Sequence, residues 1–254
     1  MEILLTNDDG IYAPGLEALA GELTRLGNVQ VVAPLIEQSG VGHSITYLQP
    51  LMAENVFRHG VLFGHAVAGS PADCVKLAML ELCAKPPELL VSGINSGANV
   101  GINVLYSGTV AAAIEGAFFG VTSIAVSLAT SDLPDFDRTA RLAVALIEQL
   151  LARDTAAGAL WNMNFPPSQP DWPRGVRLLP MGVGRERELM EKRVDPRGRT
   201  YYWSANDENG EHLLQPETDV AGLAEGYVTL TPLHFDLTHR PQLAAFRDLP
   251  WNLP

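Results

Sequence analysis

Within its first 34 residues the chain runs from a short apolar segment through an amphipathic one to a second apolar segment. That order restricts the fold more than any other feature. "EILLT" (2–6) is consistent with a buried strand. "PGLEALAGELTRLG" (14–27) places Leu16, Leu19, Ala20, Leu23 and Leu26 at helical spacing, opened by Pro14 and closed by Gly27. "VQVVAP" (29–34) is the second apolar run. Strand, helix and strand this close together form a βαβ unit, which implies a parallel sheet.

The alternation continues. In "GSPADCVKLAMLELC", Ser70 is placed to cap a helix, with Pro71 at its first position, Asp73 in its first turn and a face of Val75, Ala78, Met79 and Leu82. Strands are expected at 86–93 ("PPELLVSG"), 121–128 ("VTSIAVSL") and 160–166 ("LWNMNFP"). Helices are expected at 107–120, capped by Ser107, and in "DFDRTARLAVALIEQLLAR", where Ala140, Val144, Ile147 and Leu151 share a side. Beyond residue 165 the chain becomes proline-rich, then charged and irregular in "GRERELMEKRVDPRGRTYYWSANDENG", which reads as a solvated hairpin or loop. "TDVAGLAEGYVTLTPL" (218–233) restores a helix and a strand. The tail, "HFDLTHRPQLAAFRDLPWNLP", is too sparsely apolar to fold alone and is expected to pack on its own body or on a second subunit.

Composition narrows the function. With 254 residues, 47% of them hydrophobic and 18% charged, the chain can fill the core of one large α/β domain. Its net charge of −12 argues against a surface for nucleic-acid polymers or anionic lipid. No run of 18 apolar residues suggests a membrane span, and "MEILLTNDDG" lacks the basic flank of a signal peptide, so a cytoplasmic protein is expected. Cys74 and Cys83, nine residues apart on one expected helix, would lie on opposite faces roughly 13 Å apart. A disulfide between them is excluded, and both read as core residues in a reducing compartment.

Ligands of open α/β sheets bind beyond the carboxyl ends of the strands. The first strand ends in Asn7, Asp8, Asp9 and Gly10, the second leads to Ser39, His43, Ser44 and Thr46, and the strand near 90 leads to Asn95, Ser96, Asn99 and the cap at Ser107. "NDDG" alone is also good turn chemistry. Two close carboxylates repel unless a cation lies between them, and Asp8, Asp9, Ser39 and Asn95 are all hard oxygen donors suited to Mg²⁺ or Mn²⁺ rather than zinc. "YSGTVAAA" adds a helix N-terminus where Ser107, Gly108 and Thr109 form a candidate phosphate cradle, although an ordinary cap explains Ser107 equally well. His43 is a pocket candidate or simply a structural histidine. Gly93, Gly97 and Gly101 are spaced by four, which is not the dinucleotide-binding pattern, and no Gly-x-Ser-x-Gly elbow or P-loop is present.

Assembled, the stretches "TNDDG…APG", "VVAP…QSGVGHSIT", "GSPADCV", "LLVSGINSGANVG", "YSGTVAAAIEGAFFG", "DPRGRTYYW" and "TDVAGLAEGYVTLTPL" resemble the SurE (survival protein E) family of metal-dependent nucleotidases over nearly the whole chain. Ser70 stands where that family usually has threonine. The resemblance implies a three-layer αβα Rossmann-like fold with a mixed, mostly parallel sheet and a protruding C-terminal extension. It implies one domain over 1–254, with a core of about 1–165 plus 218–233, and with 166–217 and 234–254 making the contacts of a homodimer or homotetramer.

The implied activity is hydrolysis of nucleoside 5′- and 3′-monophosphates, with short polyphosphate as a further substrate of some members. One divalent metal would be held by Asp8, Asp9, Ser39 and Asn95. Catalysis would fall to Asp8, Asp9 and Asn95 through a metal-activated water, with Ser107, Gly108, Thr109 and His43 toward phosphate or substrate. The rival covalent route is disfavoured because the Asp-x-Asp arrangement that serves it is absent from the end of the first strand, where "NDDG" stands. A non-catalytic nucleotide or metal sensor of the same fold is the alternative.

Overall fold

The computed structural model describes residues 1–153, 156–184, 188–206, 215–251 and 253. In chain order, β1 (Glu2–Thr6), α1 (Pro14–Leu23) and β2 (Asn28–Pro34) form the expected βαβ unit. A long loop then leads to β3 (Ala53–Arg58), β4 (Val61–Val67), α2 (Pro71–Leu77), β5 (Leu89–Ser96), α3 (Gly108–Phe118) and β6 (Thr122–Leu128). The chain continues through α4 (Phe136–Leu151), β7 (Leu160–Phe165), β8 (Val176–Leu178), β9 (Glu188–Val194) and β10 (Thr200–Asn206). It ends in α5 (Asp219–Ala224), β11 (Val228–Leu233) and α6 (Arg240–Phe246).

Nine strands form one sheet in the order β3-β4-β2-β1-β5-β6-β7-β11-β8. The pairs β3–β4 and β7–β11 are antiparallel, and the others are parallel. The alternation of side chains along β1 shows how the layers arise. Ile3 and Leu5 pack with Leu16, Leu19 and Leu23 of α1 and Val144 and Ile147 of α4. Leu4, facing the other way, packs with Val75 of α2 and with Val110 and Ala113 of α3. Helices therefore cover both faces of a mixed, mostly parallel sheet, the αβα layering that was expected.

Four local expectations change. The segment expected as one helix from Ser70 to Cys83 is α-helical only to Leu77 and then widens into a π turn over Ala78–Leu82, closed by the Cys83 N–H donating to the Ala78 carbonyl at 2.9 Å. Cys83 is half-buried rather than a core residue, Cys74 is buried, and both are free thiols. Gly27 does not end α1, which stops at Leu23. A Cβ there would stand 2.0 Å from the Met1 carbonyl oxygen, so Gly27 is required for close approach to the chain start. The β3–β4 hairpin lies where no element was expected, and His59 and Gly60 turn it with φ of 51° and 79°. That two-residue turn matches the strand twist without the usual Asn-Gly signature.

The charged stretch after residue 183 contains the hairpin β9–β10, a separate two-stranded sheet. Residues 185–187 and 207–210 of that stretch lie outside the described residues. Within 166–217, β8 joins the main sheet beside β11.

Candidate active site

The chain runs from β1 through α1 to β2 on one side, while β5 flanks β1 on the other. The carboxyl end of β1 is thus a point where strand order reverses, the usual place for a ligand crevice. Asn7, Asp8, Asp9 and Gly10 occupy it. Asn7 closes the turn on itself, its amide donating to the Gly10 carbonyl at 2.9 Å and its oxygen accepting from the Gly10 N–H at 3.2 Å. Gly10 has φ of +97°, a conformation side chains rarely adopt, which lets two consecutive carboxylates converge.

Asp8 is only 4% exposed. Its Oδ1 accepts the Thr109 hydroxyl at 2.5 Å. The first residue of α3 lies directly against it, since a Cβ on Gly108 would meet Asp8 Cβ at 2.9 Å and Oδ2 at 3.1 Å. Asp9 is half-buried and turns to β5, where its Oδ2 accepts the Ser96 N–H at 3.0 Å. The pairing register of β5 shifts between Ser92 and Asn95, and this irregularity presents Asn95 and Ser96 at the mouth. Asn95 donates its amide N–H to the Gly97 carbonyl at 2.7 Å, which leaves its oxygen as the outward acceptor.

The loop after β2 forms the third wall. The Gln38 N–H donates to the Asp8 carbonyl at 2.8 Å, so Ser39 follows a residue pinned to the acidic turn. Ser39 is exposed and donates its hydroxyl to Glu37 at 2.6 Å. Two caps hold the far end of this loop. Asp73 accepts the Thr46 N–H at 2.9 Å and the Thr46 hydroxyl at 2.7 Å while completing the capping box with Ser70. Ser70 in turn donates its hydroxyl to the Ser44 carbonyl at 2.6 Å. The expected cap of α2 therefore also clamps a loop of the site.

Electrostatics single out the two aspartates. Burial lifts the Asp8 carboxyl to about 6, opposed by the Thr109 hydroxyl and reinforced by the charge of Asp9. Burial also raises Asp9, the Ser96 N–H opposes that, and Glu37 pushes it further up. Glu37 is thus a third acid at the mouth. Its only sequence signal is its place two residues before Ser39.

Among the described residues no group of three or more His, Cys, Asp or Glu side chains could hold a metal. A donor set of two carboxylates with neutral Ser and Asn oxygens falls outside that criterion and still suits a hard divalent cation that keeps several waters. Like-charged, partly dehydrated carboxylates are the chemistry such a cation relieves.

Ser107 caps α3 by accepting the Val110 N–H at 3.1 Å, and the Thr109 N–H of the same turn favours the ionised Asp8 carboxylate. His43, from the loop after β2, packs further along that helix. Its Nε2 is 2.8 Å from Glu115 Oε2 and its ring stacks on Phe118, about 9 Å along the axis from Thr109 to the level of Glu115. Behind Thr109 is a buried polar cluster of Asn99, Ser127, Asn162 and Asn164. Of these, only Asn99 was among the sequence candidates.

The fold and site together define a class: a three-layer α/β protein whose crevice joins an acidic oxygen-donor cluster to a helix N-terminus. Comparison with known proteins makes this specific. The family model for survival protein SurE matches residues 3–188. A 5′-nucleotidase SurE of Rhodopirellula baltica is 54% identical over 254 residues, covering 100% of this chain and 99% of that one. One of Syntrophobacter fumaroxidans is 45% identical with 100% of both chains covered. The crystal structure of the SurE protein from Aquifex aeolicus superposes with a TM-score of 0.84 at 36% identity, over 97% of this chain and 98% of that one. The chain belongs to the survival protein SurE family.

Proposed function

We propose that this chain is a 5′-nucleotidase, a phosphomonoesterase that uses one divalent cation, Mg²⁺ or Mn²⁺, to hydrolyse nucleoside 5′-monophosphates, with 3′-monophosphates and short polyphosphate as further substrates. The observation that carries the reading is the contact between Asp8 and the first turn of α3, which brings a cation-binding carboxylate and an anion-binding helix end together. Relatives matched over the full chain and named 5′-nucleotidases support it.

Asp8, Asp9, Ser39 and the Asn95 oxygen would hold the cation. When bound, it supplies a water of lowered pKa and neutralises phosphoryl charge. The N–H of Gly108, with Ser107 and Thr109 beside it, orients the phosphoryl group for in-line attack. Asp9, more open than Asp8 and with Oδ1 free of hydrogen bonds among the described residues, is the carboxylate placed to take the proton from the attacking water. The ester P–O bond breaks opposite that water, and the departing nucleoside oxygen takes a proton from solvent. His43, held by Glu115, steadies the loop that carries Ser39.

The chain would form one domain, its core drawn from about 1–165 and 218–233 together with β8. The hairpin and residues 234–254 serve as an extension that joins a homodimer or homotetramer. The apolar side chains exposed there, Met190, Tyr202, Trp203, Leu237 and Trp251 among them, support this. Among the described residues no helix is long and apolar enough to cross a membrane. Two free thiols fit a cytoplasmic setting.

The test is phosphate release from AMP, GMP and 3′-AMP with Mn²⁺, Mg²⁺ or EDTA. Release should require the cation and fall by at least 10³-fold in Asp9→Ala with its fold intact, on the order expected when a group that holds a catalytic metal is lost. Undiminished release by the variant defeats the reading. Binding of AMP by wild type with no release would assign a sensor instead.

A further inference from the structure

The Thr109 hydroxyl sits at the helix end proposed to hold phosphate, yet it is already committed. It has one proton, and that proton goes to Asp8 Oδ1 at 2.5 Å. On its other side it accepts from Asn99 Nδ2 at 3.3 Å, and the second N–H of the same amide goes to the Ser127 hydroxyl at 2.9 Å. An amide nitrogen only donates, so Asn99 occupies the acceptor side of the threonine and leaves its proton no other direction.

Asn99 is itself fixed through its backbone. Its N–H donates to Asn164 Oδ1 at 2.8 Å, and its carbonyl accepts from Asn162 Nδ2 at 2.7 Å and from Asn164 Nδ2 at 3.2 Å. Asn162 and Asn164 alternate along β7, so both amides rise from one face of a strand in the sheet. Thr109, Ser127, Asn162 and Asn164 are fully buried, and Asn99 is nearly so. A buried polar network of this kind holds its members in one arrangement, because a bond broken away from bulk solvent leaves its groups unpaired at a cost.

We infer that Thr109 is a positioning residue for Asp8 rather than a phosphate ligand, and that Asn99, anchored by Asn162 and Asn164, sets the direction of its hydroxyl. The bond takes one carboxylate oxygen and fixes the plane of the group, so the other oxygen faces the cation site. The inference rests on the proposed cation reading and deepens it. The phosphoryl group then depends on backbone N–H groups at this helix end.

The experiment is calorimetric titration of Mn²⁺ into metal-free wild type, Thr109→Val, Thr109→Ser and Asn99→Ala, with each variant's thermal unfolding measured alongside. Inhibition by inorganic phosphate is measured in parallel. Thr109→Val keeps the shape and loses the hydroxyl, and it should weaken Mn²⁺ binding about 10–100-fold, the usual range for a residue that orients a metal ligand. Thr109→Ser restores the donor and should bind within about threefold of wild type. Asn99→Ala leaves both backbone anchors in place and removes only the side-chain bonds. It should therefore fold and still bind Mn²⁺ about three- to tenfold more weakly.

Three results would overturn the inference. Thr109→Val could bind Mn²⁺ as wild type does while losing phosphate inhibition, which makes Thr109 a phosphate ligand. Thr109→Ser could bind as poorly as the valine variant, which makes the effect one of packing. Wild type could bind no Mn²⁺, which defeats the cation reading and this inference together, whereas a loss confined to this inference leaves wild-type binding intact.

Discussion

At the scale of single residues, the site is built at a cost to the fold. Asp8 has its carboxyl raised from 3.8 to about 6 in the folded protein, chiefly by burial. At about 1.4 kcal/mol per unit this is a penalty of about 3 kcal/mol on the ionised group. Well below pH 4 the group is protonated folded or unfolded and the penalty is absent. It grows as pH rises to about 6 and is complete above that. In EDTA at pH 8, Asp8→Asn should therefore stabilise the protein by about 1–3 kcal/mol, roughly 2–10 °C in Tm, while Mn²⁺ binding is lost. Thermal unfolding at pH 8 and pH 4 checks it, because the gain should shrink to roughly half a kcal/mol at pH 4. Gly108 gives a second test. Its alanine Cβ would press on Asp8 at 2.9 Å and on Pro71 Cγ at 3.1 Å, so Gly108→Ala should lower kcat/KM about 10²-fold. Gly21→Ala, in open space on α1, is the control and should leave kcat/KM unchanged. The placement of Asp8, Asp9, Asn95 and Ser107 at one edge of the sheet is legible in the sequence because each sits at the end of a readable strand or the start of a readable helix. The Thr109–Asp8 bond spans 101 positions and the Asn99–Asn162 bond 63, and no local pattern reports a pairing that only the folded sheet creates.

At the scale of elements, periodicity exposed the core helices and parallel strands, since each buries one continuous face. The β3–β4 hairpin escaped because it is an edge. Phe57, Val61 and Leu62 are exposed, so inside and outside are not written in its residue types. The Ser70–Asp73 capping box was half legible. The cap was readable, but its second task, holding Thr46 and Ser44 of the loop between β2 and β3, was not. Asp73 satisfies the N–H groups of Ser70 and Thr46 and the Thr46 hydroxyl at once. Asp73→Ala should thus cost about 1–3 kcal/mol in urea unfolding, the range for buried donors left unpaired. Hydrogen exchange separates the two tasks. The Thr46 amide should lose protection in the variant, and if only the α2 amides do, the clamp is not made by Asp73.

At the scale of the whole molecule, the described chain divides into a well-covered sheet and parts that lack cover. The β9–β10 hairpin stands apart from the main sheet, and two strands alone are marginal in water. It still exposes Met190, Val194, Tyr202 and Trp203, and α6 buries none of its residues while Leu243, Phe246, Leu249 and Trp251 lie open around it. A chain with net charge −12 is soluble enough to carry such surface, but the surface gains its stabilisation only when another apolar face meets it. A homo-oligomer supplies that face with no further partner. If the extension serves this purpose, a chain ending at His234 should elute as a monomer in light scattering while wild type elutes as a dimer or tetramer. Trp203→Glu should lower the assembly state without changing the far-ultraviolet circular dichroism of the core. The acidic crevice lies at the carboxyl ends of β1 and β5, and its proposed ligands come from the core, so the truncated chain should still bind Mn²⁺ within about threefold of wild type, a difference of less than about 0.7 kcal/mol. Wild type eluting as a monomer would leave the hairpin and α6 without the role argued for them.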